Sequence, residues 1–485
     1  MSELFSAVFK NGERTPYGLH RPAMFVFYDT ETTGTNIAYD QILQFAAILT
    51  DHRLNEVDRF ETRCQLLPWV VPSPSALLVT GTDVDRLTDP KLPTFFDMME
   101  SIRERLSGWG PATFIGYNSM RFDEALLQRA FWQALLPPYA TVTKGNARLD
   151  LLPIVRATAH FLPGILALPL REDGETSFKL DQLAPLNGFD AHRAHDALGD
   201  VEATIFLARL LSERASDLWL LLAARASKSK TASILSFGCP VLVFQHFVGQ
   251  PMAWFGQRVD QENDRVSHAV LAILGYDWRS SKDDGFPNFE DHNLASMRQT
   301  VRRVALNKAP VIFTVEEARS LCGFALAPDE RLQSRFLASD EDYCARIVDK
   351  LGIAPDYPPG SGELEETIFD GFPSKPDENL MRRFHEADWP RRVEIARAFD
   401  DERFHRLAMR IVYLSAPHLM STEERERIRS GIDRRLTADS DDPHRWRSIS
   451  DAATELTQIR PDHYRRAEML KVESWLMQRR TSALF

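Results

Sequence analysis

Two carboxylates follow a short apolar run near the start of the chain. Residues 25–28 predict a buried strand, and Asp29 and Glu31 follow it with one threonine between them. Because strand side chains alternate, both carboxylates project from one side of the backbone, within reach of one hard cation. The turn residues 32–34 place the pair where the strand ends. By itself, the pattern is more typical of a solvated strand end than of a metal site.

Three further candidates for chemistry lie downstream. Asp123 follows a predicted short strand and precedes a predicted helix over residues 124–136. His195 is expected where a long helix begins, and Asp200, five residues later, is expected on its second turn, so both can face one cleft from one rigid element. Each residue also has an ordinary interpretation. Asp123 can serve as a helix cap or first-turn acid, and surface histidines and helix acids are common.

The order of these residues is more informative than any one of them. The chain reads D-x-E … D … H-x-x-x-x-D, with G-Y-N-x-x-x-F-D around Asp123 and A-H-D-A-x-x-D around Asp200. This pattern resembles the DEDDh branch of the proofreading-exonuclease superfamily, which has a ribonuclease H-like fold. The resemblance implies that Asp29, Glu31, Asp123 and Asp200 hold metal and that His195 is the general base.

Phosphodiester hydrolysis explains why these residue types are needed. A water must become nucleophilic at neutral pH and charge on the leaving oxygen must be neutralised, and two divalent cations about 4 Å apart supply both. Carboxylate oxygens are good ligands for Mg²⁺. We expect two Mg²⁺ ions, with Mn²⁺ as the alternative. A neutral histidine, whose ordinary pKa is about 6.5, can accept the proton of the attacking water.

Composition limits the class of protein. A chain of 485 residues with 44% apolar residues predicts two or three domains with sizeable cores. No apolar run reaches the length of a membrane span, no secretory signal is recognisable, and the cysteines lack C-x-x-C spacing. We therefore expect a cytoplasmic location. The net charge of −11 argues only slightly against nucleic acid, because an acidic surface can coexist with one basic groove.

Patterning along the chain divides it into three predicted domains. An α/β nuclease domain is expected over residues 20–212, a β-rich domain over 216–357 and a helical domain over 361–485. A Pro/Gly-rich link over 354–362 separates the last two.

Several local elements follow from the same patterning. Strands are predicted over 56–67, 236–247 and 269–276, with a charged loop between the last two. A helix is predicted to begin at Asp150, and residues 227–231 are predicted to form a polar break.

The resemblance extends over nearly the whole chain from about residue 24. The motifs V-A-L-N-K-A-P, I-F-D-G-F-P-S and F-D-D-E-R-F-H-R-L-A-M-R-I-V-Y-L-S-A-P occur in the order found in the bacterial exonuclease I family. That family implies an SH3-like middle domain and a helical last domain that clamp a single strand. It also implies processive removal of 5′-mononucleotides from the 3′ end of single-stranded DNA, in repair and recombination. A monomer that docks the C-terminal tail of single-strand DNA-binding protein is expected.

The resemblance also implies substrate contacts. It places Lys179 and Glu31 against the substrate, with Gln128, Tyr139 and Arg156 along the nuclease face. Cations serve phosphates and aromatic rings stack on bases. The candidates for the clamp are Arg298, Arg302, Arg303, Asn307, Lys308, Phe369 and Phe372. A solvated helix face explains such a basic cluster more often than DNA binding does, and the two phenylalanines could equally well anchor the C-terminal domain.

Other functions stay open at this point. Within the superfamily, the alternatives are an RNA 3′-end trimmer and a proofreading subunit, which are usually short single domains. The long segment after the nuclease core favours a self-contained enzyme. From another class, the chain could be a catalytically silent DNA-binding scaffold, although all five catalytic positions are filled. The residues alone do not decide between DNA and RNA, because that choice depends on contacts to the 2′ position.

Overall fold

The computed structural model describes residues 24–190, 195–247, 249–261, 267–279, 300–350, 362–439, 441, 444–459 and 466–484. The predicted link over 354–362 lies outside these ranges except for its last residue. Arg298, a clamp candidate, also lies outside them.

A five-stranded mixed sheet forms the first domain. Its strands are β1 (Met24–Thr32), β2 (Ile42–Asp51), β3 (Glu56–Arg63), β4 (Thr113–Gly116) and β5 (Ala147–Asp150), in the order β3-β2-β1-β4-β5. β2 is antiparallel to β1 and β3, whereas β4 is parallel to β1 and β5. The predicted mixed α/β fold is thus confirmed.

Helices cover both faces of this sheet. They are α1 (Pro74–Thr80), α2 (Phe95–Trp109), α3 (Asp123–Gln133), α4 (Leu151–Phe161), α5 (Leu180–Leu186) and α6 (Ala197–Arg214). Val26 and Tyr28 of β1 share one core with α2 and α3. Phe25 and Phe27 point the other way and share a second core with α4 and α6. The period-two alternation of β1 therefore builds a three-layer domain with β1 at its centre.

The middle part of the chain is rich in antiparallel strands. After α7 (Ser216–Ala223) and α8 (Lys228–Ile234), it contains β6 (Pro240–Phe247), β7 (Gln250–Arg258), β8 (His268–Ile273), β9 (Val301–Ala305) and β10 (Val311–Thr314). These form one sheet in the order β10-β6-β7-β8-β9. Three helices follow: α9 (Val315–Leu321), α10 (Pro328–Ala338) and α11 (Glu341–Lys350).

The last part is helical, as predicted. Its helices are α12 (Lys375–Glu386), α13 (Trp389–Arg397), α14 (Glu402–Ser415), α15 (Thr422–Thr437), α16 (Ile449–Gln458) and α17 (Arg466–Leu484). None of the helices in the described part of the chain has the length and apolar character that crossing a membrane requires.

The two later parts pack against opposite faces of the nuclease sheet. Trp219 of α7 contacts Phe25, with ring centroids 5.9 Å apart, and residues of β6 to β10 join the same core as α4 and α6. On the other side, Phe384 of α12 packs edge-on against Phe96 of α2 at 6.2 Å. The nuclease domain therefore lies between the other two parts, and each shares apolar core with it.

The structure corrects several local predictions in the first domain. β1 continues through Thr32, so Asp29 and Glu31 lie inside a paired strand rather than at its end, opposite Ala46 and Gln44 of β2. β2 provides a long, almost fully buried partner, which holds β1 extended past the predicted turn. β3 ends at Arg63 rather than continuing to residue 67.

Three predictions in the following segments are also corrected. Asp150 ends β5 and caps α4 instead of beginning a helix, because its carboxylate accepts a hydrogen bond from the Leu152 amide. The polar run at 227–231 is not a break, since Ser227 caps α8 and the rest forms its first turn. β7 occupies much of the predicted charged loop, where it pairs with β6 along its whole length.

Candidate active site

Three carboxylates converge where β1 meets the start of α6. Asp29 and Glu31 point from the same side of β1, and Asp200 lies in the first turn of α6. One carboxylate oxygen from each of the three lies within 4.8 Å of the other two. The helix is held there by its buried face, which includes Val201 and Leu207 and packs on the same side of the sheet as Phe27. We call these three side chains the acid cluster.

Asp123 reaches the same region from the opposite face of the sheet. It is the first residue of α3, it is buried, and it accepts a hydrogen bond of 2.6 Å from the Thr30 hydroxyl. The loop that leads to it is held by Asp150, whose carboxylate accepts hydrogen bonds from the amides of Asn118 and Met120 at 2.8 and 3.2 Å. Asp150 thus positions Asp123, a role that its sequence context did not indicate.

Burial and mutual repulsion make these carboxylates hard to ionise. Burial, followed by the charges of Asp123, Asp200 and Glu31, raises the pKa of Asp29 well above its usual range. Burial and the same kind of repulsion, from Asp200 first, raise the pKa of Glu31 to about 8. Burial also raises the pKa of Asp123 to about 7, against the lowering effect of the Thr30 hydrogen bond. A set of oxygen donors in this electrostatic state fits hard divalent cations, which would replace the protons.

His195 lies beside the acid cluster but not on the helix. α6 begins at Ala197, so His195 precedes it, and its backbone adopts φ 63° with an exposed side chain. The prediction that His195 and Asp200 lie on one rigid helix is therefore wrong. Asp200 lies in the first turn of α6 rather than in the second. The next residue, Asp196, is held in place, because its carboxylate accepts hydrogen bonds from Gln44 at 3.0 Å and Arg63 at 2.8 Å.

An open cleft contains the acid cluster, Asp123 and His195. We call it the catalytic cleft. Arg156 and Lys179, two predicted substrate contacts, line it together with Phe178, over whose ring the Arg156 guanidinium lies at 5.5 Å. The middle part of the chain also contributes a wall, because His246 lines the cleft and meets the Phe178 ring edge-on at 5.5 Å.

A second cleft opens where all three parts of the chain meet. We call it the interdomain cleft. The predicted contacts Gln128, Asn307, Lys308 and Phe369 all line it. Its remaining lining residues are Ile37, Ala38, Met120, Arg121, Glu124, Ala125, Arg129, Arg148, Glu366 and Arg445. Five cations and two carboxylates are thus brought together on a protein whose net charge is −11.

Sequence reasoning missed four of these cations: Arg121, Arg129, Arg148 and Arg445. They come from separate elements, so no local cluster indicates them. Desolvation, followed by repulsion from Arg121 and Arg148, lowers the pKa of Lys308. Because these positive charges lie close together and repel one another, the cleft favours binding of an anion between them.

Four other predicted contacts line neither cleft. Tyr139 is half-buried on the nuclease domain, and Phe372 is 85% exposed. Arg302 and Arg303 lie on β9 rather than on a helix face; Arg302 covers the Phe247 ring at 5.6 Å.

The position of Phe369 is consistent with both predicted roles. Its ring packs against the core that joins the C-terminal helices to the nuclease domain, and the Arg129 guanidinium lies over it at 5.4 Å.

The architecture and the site together define a class of protein. A mixed five-stranded sheet that brings carboxylates from β1, α3 and α6 into one cleft defines an exonuclease domain. The exonuclease family model matches residues 26–208, and the model of the exonuclease I C-terminal domain matches residues 362–478. The chain thus combines an exonuclease domain with an exonuclease I C-terminal domain.

Relatives match over different lengths. Exodeoxyribonuclease I of Escherichia coli K12 is 33% identical over 237 residues, which are 48% of this chain and 49% of that protein. Exodeoxyribonuclease I of Haemophilus influenzae is 26% identical over 423 residues, 82% of this chain and 87% of that protein. The sequence match to the E. coli protein therefore spans about half of its length.

Solved structures match along almost the full chain. E. coli exonuclease I in complex with a dA16 oligonucleotide has a TM-score of 0.79 at 22% identity and covers 95% of this chain and 100% of that one. Exonuclease I from Methylocaldum szegediense has a TM-score of 0.73 at 25% identity, covering 94% and 100%. The three-part fold is therefore shared with these proteins.

Proposed function

We propose that this protein is an exonuclease that degrades single-stranded DNA processively from the 3′ end and releases 5′-mononucleotides, in DNA repair and recombination. The observation that carries this proposal is the acid cluster, three carboxylates with oxygens within 4.8 Å of one another, in a nuclease domain that is combined with an exonuclease I C-terminal domain. Relatives named exodeoxyribonuclease I support the choice of DNA as substrate.

Asp29, Glu31 and Asp200 would hold divalent cations, for which we propose two Mg²⁺ ions, with Asp123 completing the set. When bound, such ions make a water nucleophilic at neutral pH and neutralise charge on the leaving oxygen. His195, exposed in the catalytic cleft, would accept the proton of the attacking water. Lys179 and Arg156 line the same cleft, where their charges would hold the phosphates that flank the scissile bond.

The two clefts meet at the loop that precedes α3. Asn118, Phe122 and Asp123 line the catalytic cleft, whereas Met120, Arg121 and Glu124 line the interdomain cleft. A strand lying in the interdomain cleft would therefore pass over this short loop to bring its 3′ end to the acid cluster. Because the interdomain cleft is lined by all three parts of the chain, such a strand would be held after each cut, which supports processive degradation.

The direct test uses oligonucleotides labelled at either end. With Mg²⁺, a 5′-labelled DNA single strand should shorten from its 3′ end, and a 3′-labelled one should release mononucleotide at once. Asp29→Ala is the matched inactive variant. Preferential degradation of RNA would favour 3′-end trimming instead. Normal single-strand binding without any metal-dependent cleavage would identify a silent scaffold and refute the proposal.

The remaining expectations are also proposals. We propose docking of the C-terminal tail of single-strand DNA-binding protein, because a structurally similar chain, with a TM-score of 0.77 at 21% identity, was solved as an SSB/Exonuclease I complex. We further propose that the protein acts as a cytoplasmic monomer. Sedimentation with and without a peptide of that tail tests both the oligomeric state and the docking.

A further inference from the structure

A buried carboxylate beside the acid cluster takes no part in it. Glu124 follows Asp123 in α3 and is 2% exposed. Four side chains donate hydrogen bonds to it: Tyr28 at 2.8 Å, Gln128 at 3.1 Å, Thr141 at 2.5 Å and Arg148 at 2.7 Å. We call these five residues the Glu124 network. With its oxygens so occupied, Glu124 is suited neither to hold a cation nor to accept a proton.

Arg148 connects this network to the middle part of the chain. Its Nη1 donates to Glu124, and its Nη2 donates at 3.2 Å to the main-chain carbonyl of Asn307. Asn307 lies in the Leu306–Lys308 turn that follows β9. Arg148 is only 9% exposed, and each of its two terminal nitrogens donates to one of these acceptors. A planar, forked donor suits such a bridge, whereas a lysine offers one point charge.

The two ends of the network are next to functional positions. Tyr28 immediately precedes Asp29 in β1, and Glu124 immediately follows Asp123, so their hydrogen bond holds the start of α3 against the central strand. At the other end, the Asn307 turn also carries Lys308, which lines the interdomain cleft. One buried chain of contacts thus connects the wall of the interdomain cleft to the elements that bear the catalytic acids.

We infer that Arg148 is a positioning residue that sets the Leu306–Lys308 turn in register with the catalytic elements, so that a strand held in the interdomain cleft delivers its 3′ end to the acid cluster. This inference rests on the proposed function for its kinetic consequence. It has a structural consequence that does not depend on activity, because the turn should loosen when the bridge is lost.

The test compares Arg148→Lys with Thr141→Val in the full-length protein. Lysine keeps a cation beside Glu124 but cannot span both acceptors, whereas Thr141→Val removes one hydrogen bond to the same Glu124 oxygen and leaves the bridge intact. We expect Arg148→Lys to release about tenfold fewer nucleotides per binding event on long single strands, as loss of one charge-assisted hydrogen bond allows. Cleavage of a dinucleotide, which leaves only one nucleotide upstream of the scissile bond, should change less than about twofold.

Hydrogen exchange of the main-chain amides in the Leu306–Lys308 turn provides the readout that is independent of activity. Exchange there should accelerate in Arg148→Lys and stay unchanged in Thr141→Val. Unchanged exchange in Arg148→Lys, or equal losses in both variants, would overturn the inference even if the wild-type enzyme is fully active. A wild-type protein without metal-dependent cleavage would instead refute the proposed function, and the exchange result would still decide whether Arg148 holds the turn.

Discussion

Replacing Glu31 by glutamine should stabilise the metal-free protein while abolishing its activity. In the folded state the pKa of Glu31 is raised to about 8, chiefly by burial and then by the charges of Asp200 and Asp123. Its ordinary value is about 4.3. Between these two values the folded state binds more protons than the unfolded state, so stability falls as pH rises. Ionisation of Glu31 therefore destabilises the folded state, and glutamine, which does not ionise, removes this destabilisation.

The magnitude follows from the pKa difference. The destabilisation by ionised Glu31 is absent below about pH 4, grows through neutral pH and levels off above about pH 8. At pH 7 the upper limit of this destabilisation is about 4 kcal/mol, since about 2.7 units separate pH 7 from the ordinary pKa and each unit corresponds to about 1.4 kcal/mol. Because Glu31 is half-buried and Asp29 and Asp200 share the repulsion, we expect roughly 1–3 kcal/mol for Glu31→Gln. In a domain of this size, that raises the melting temperature by about 2–10 °C.

Thermal unfolding of both proteins measures this prediction. In EDTA, the melting temperature of Glu31→Gln should exceed that of the wild type at pH 8 and converge with it near pH 4. Adding Mg²⁺ should raise the wild-type melting temperature and should raise that of the variant much less, because one oxygen ligand has been neutralised. Nuclease activity should fall to background. A metal-free variant that melts below the wild type at pH 8 would refute the electrostatic account of the acid cluster.

Three other changes give separate tests. His195→Ala should lower kcat by about a hundredfold or more while single-strand binding is kept, since a general base acts in the chemical step; weaker binding with normal kcat would make His195 a substrate contact. Lys179→Ala should flatten the salt dependence of single-strand binding by about 0.7 in log–log slope, whereas Lys375→Ala, outside both clefts, should not. Glu365→Gln should destabilise the protein by about 3–5 kcal/mol in chemical unfolding, because Glu365 is the buried partner of Arg410 and Arg435; a loss below about 1 kcal/mol would contradict this.

The acid cluster could be predicted from the sequence because its information is local. Asp29 and Glu31 are separated by one residue on a strand, and a period of two places both on one side whatever surrounds them. The A-H-D-A-x-x-D motif likewise leads into a helix, although Asp200 lies in its first turn rather than in the second. Residue type and spacing therefore sufficed to nominate the residues that the fold gathers in the catalytic cleft.

The interdomain cleft was decided by tertiary structure. Arg121 and Arg148 come from separate elements of the nuclease domain, and Lys308 and Arg445 join them only because the two later parts of the chain pack on that domain. Likewise, residue type alone does not show that Glu124 accepts hydrogen bonds from four side chains, whereas Asp123 lines the catalytic cleft. Local periodicity determines which way a side chain points from its own element, whereas its partners and its charge state depend on the elements that are packed against it.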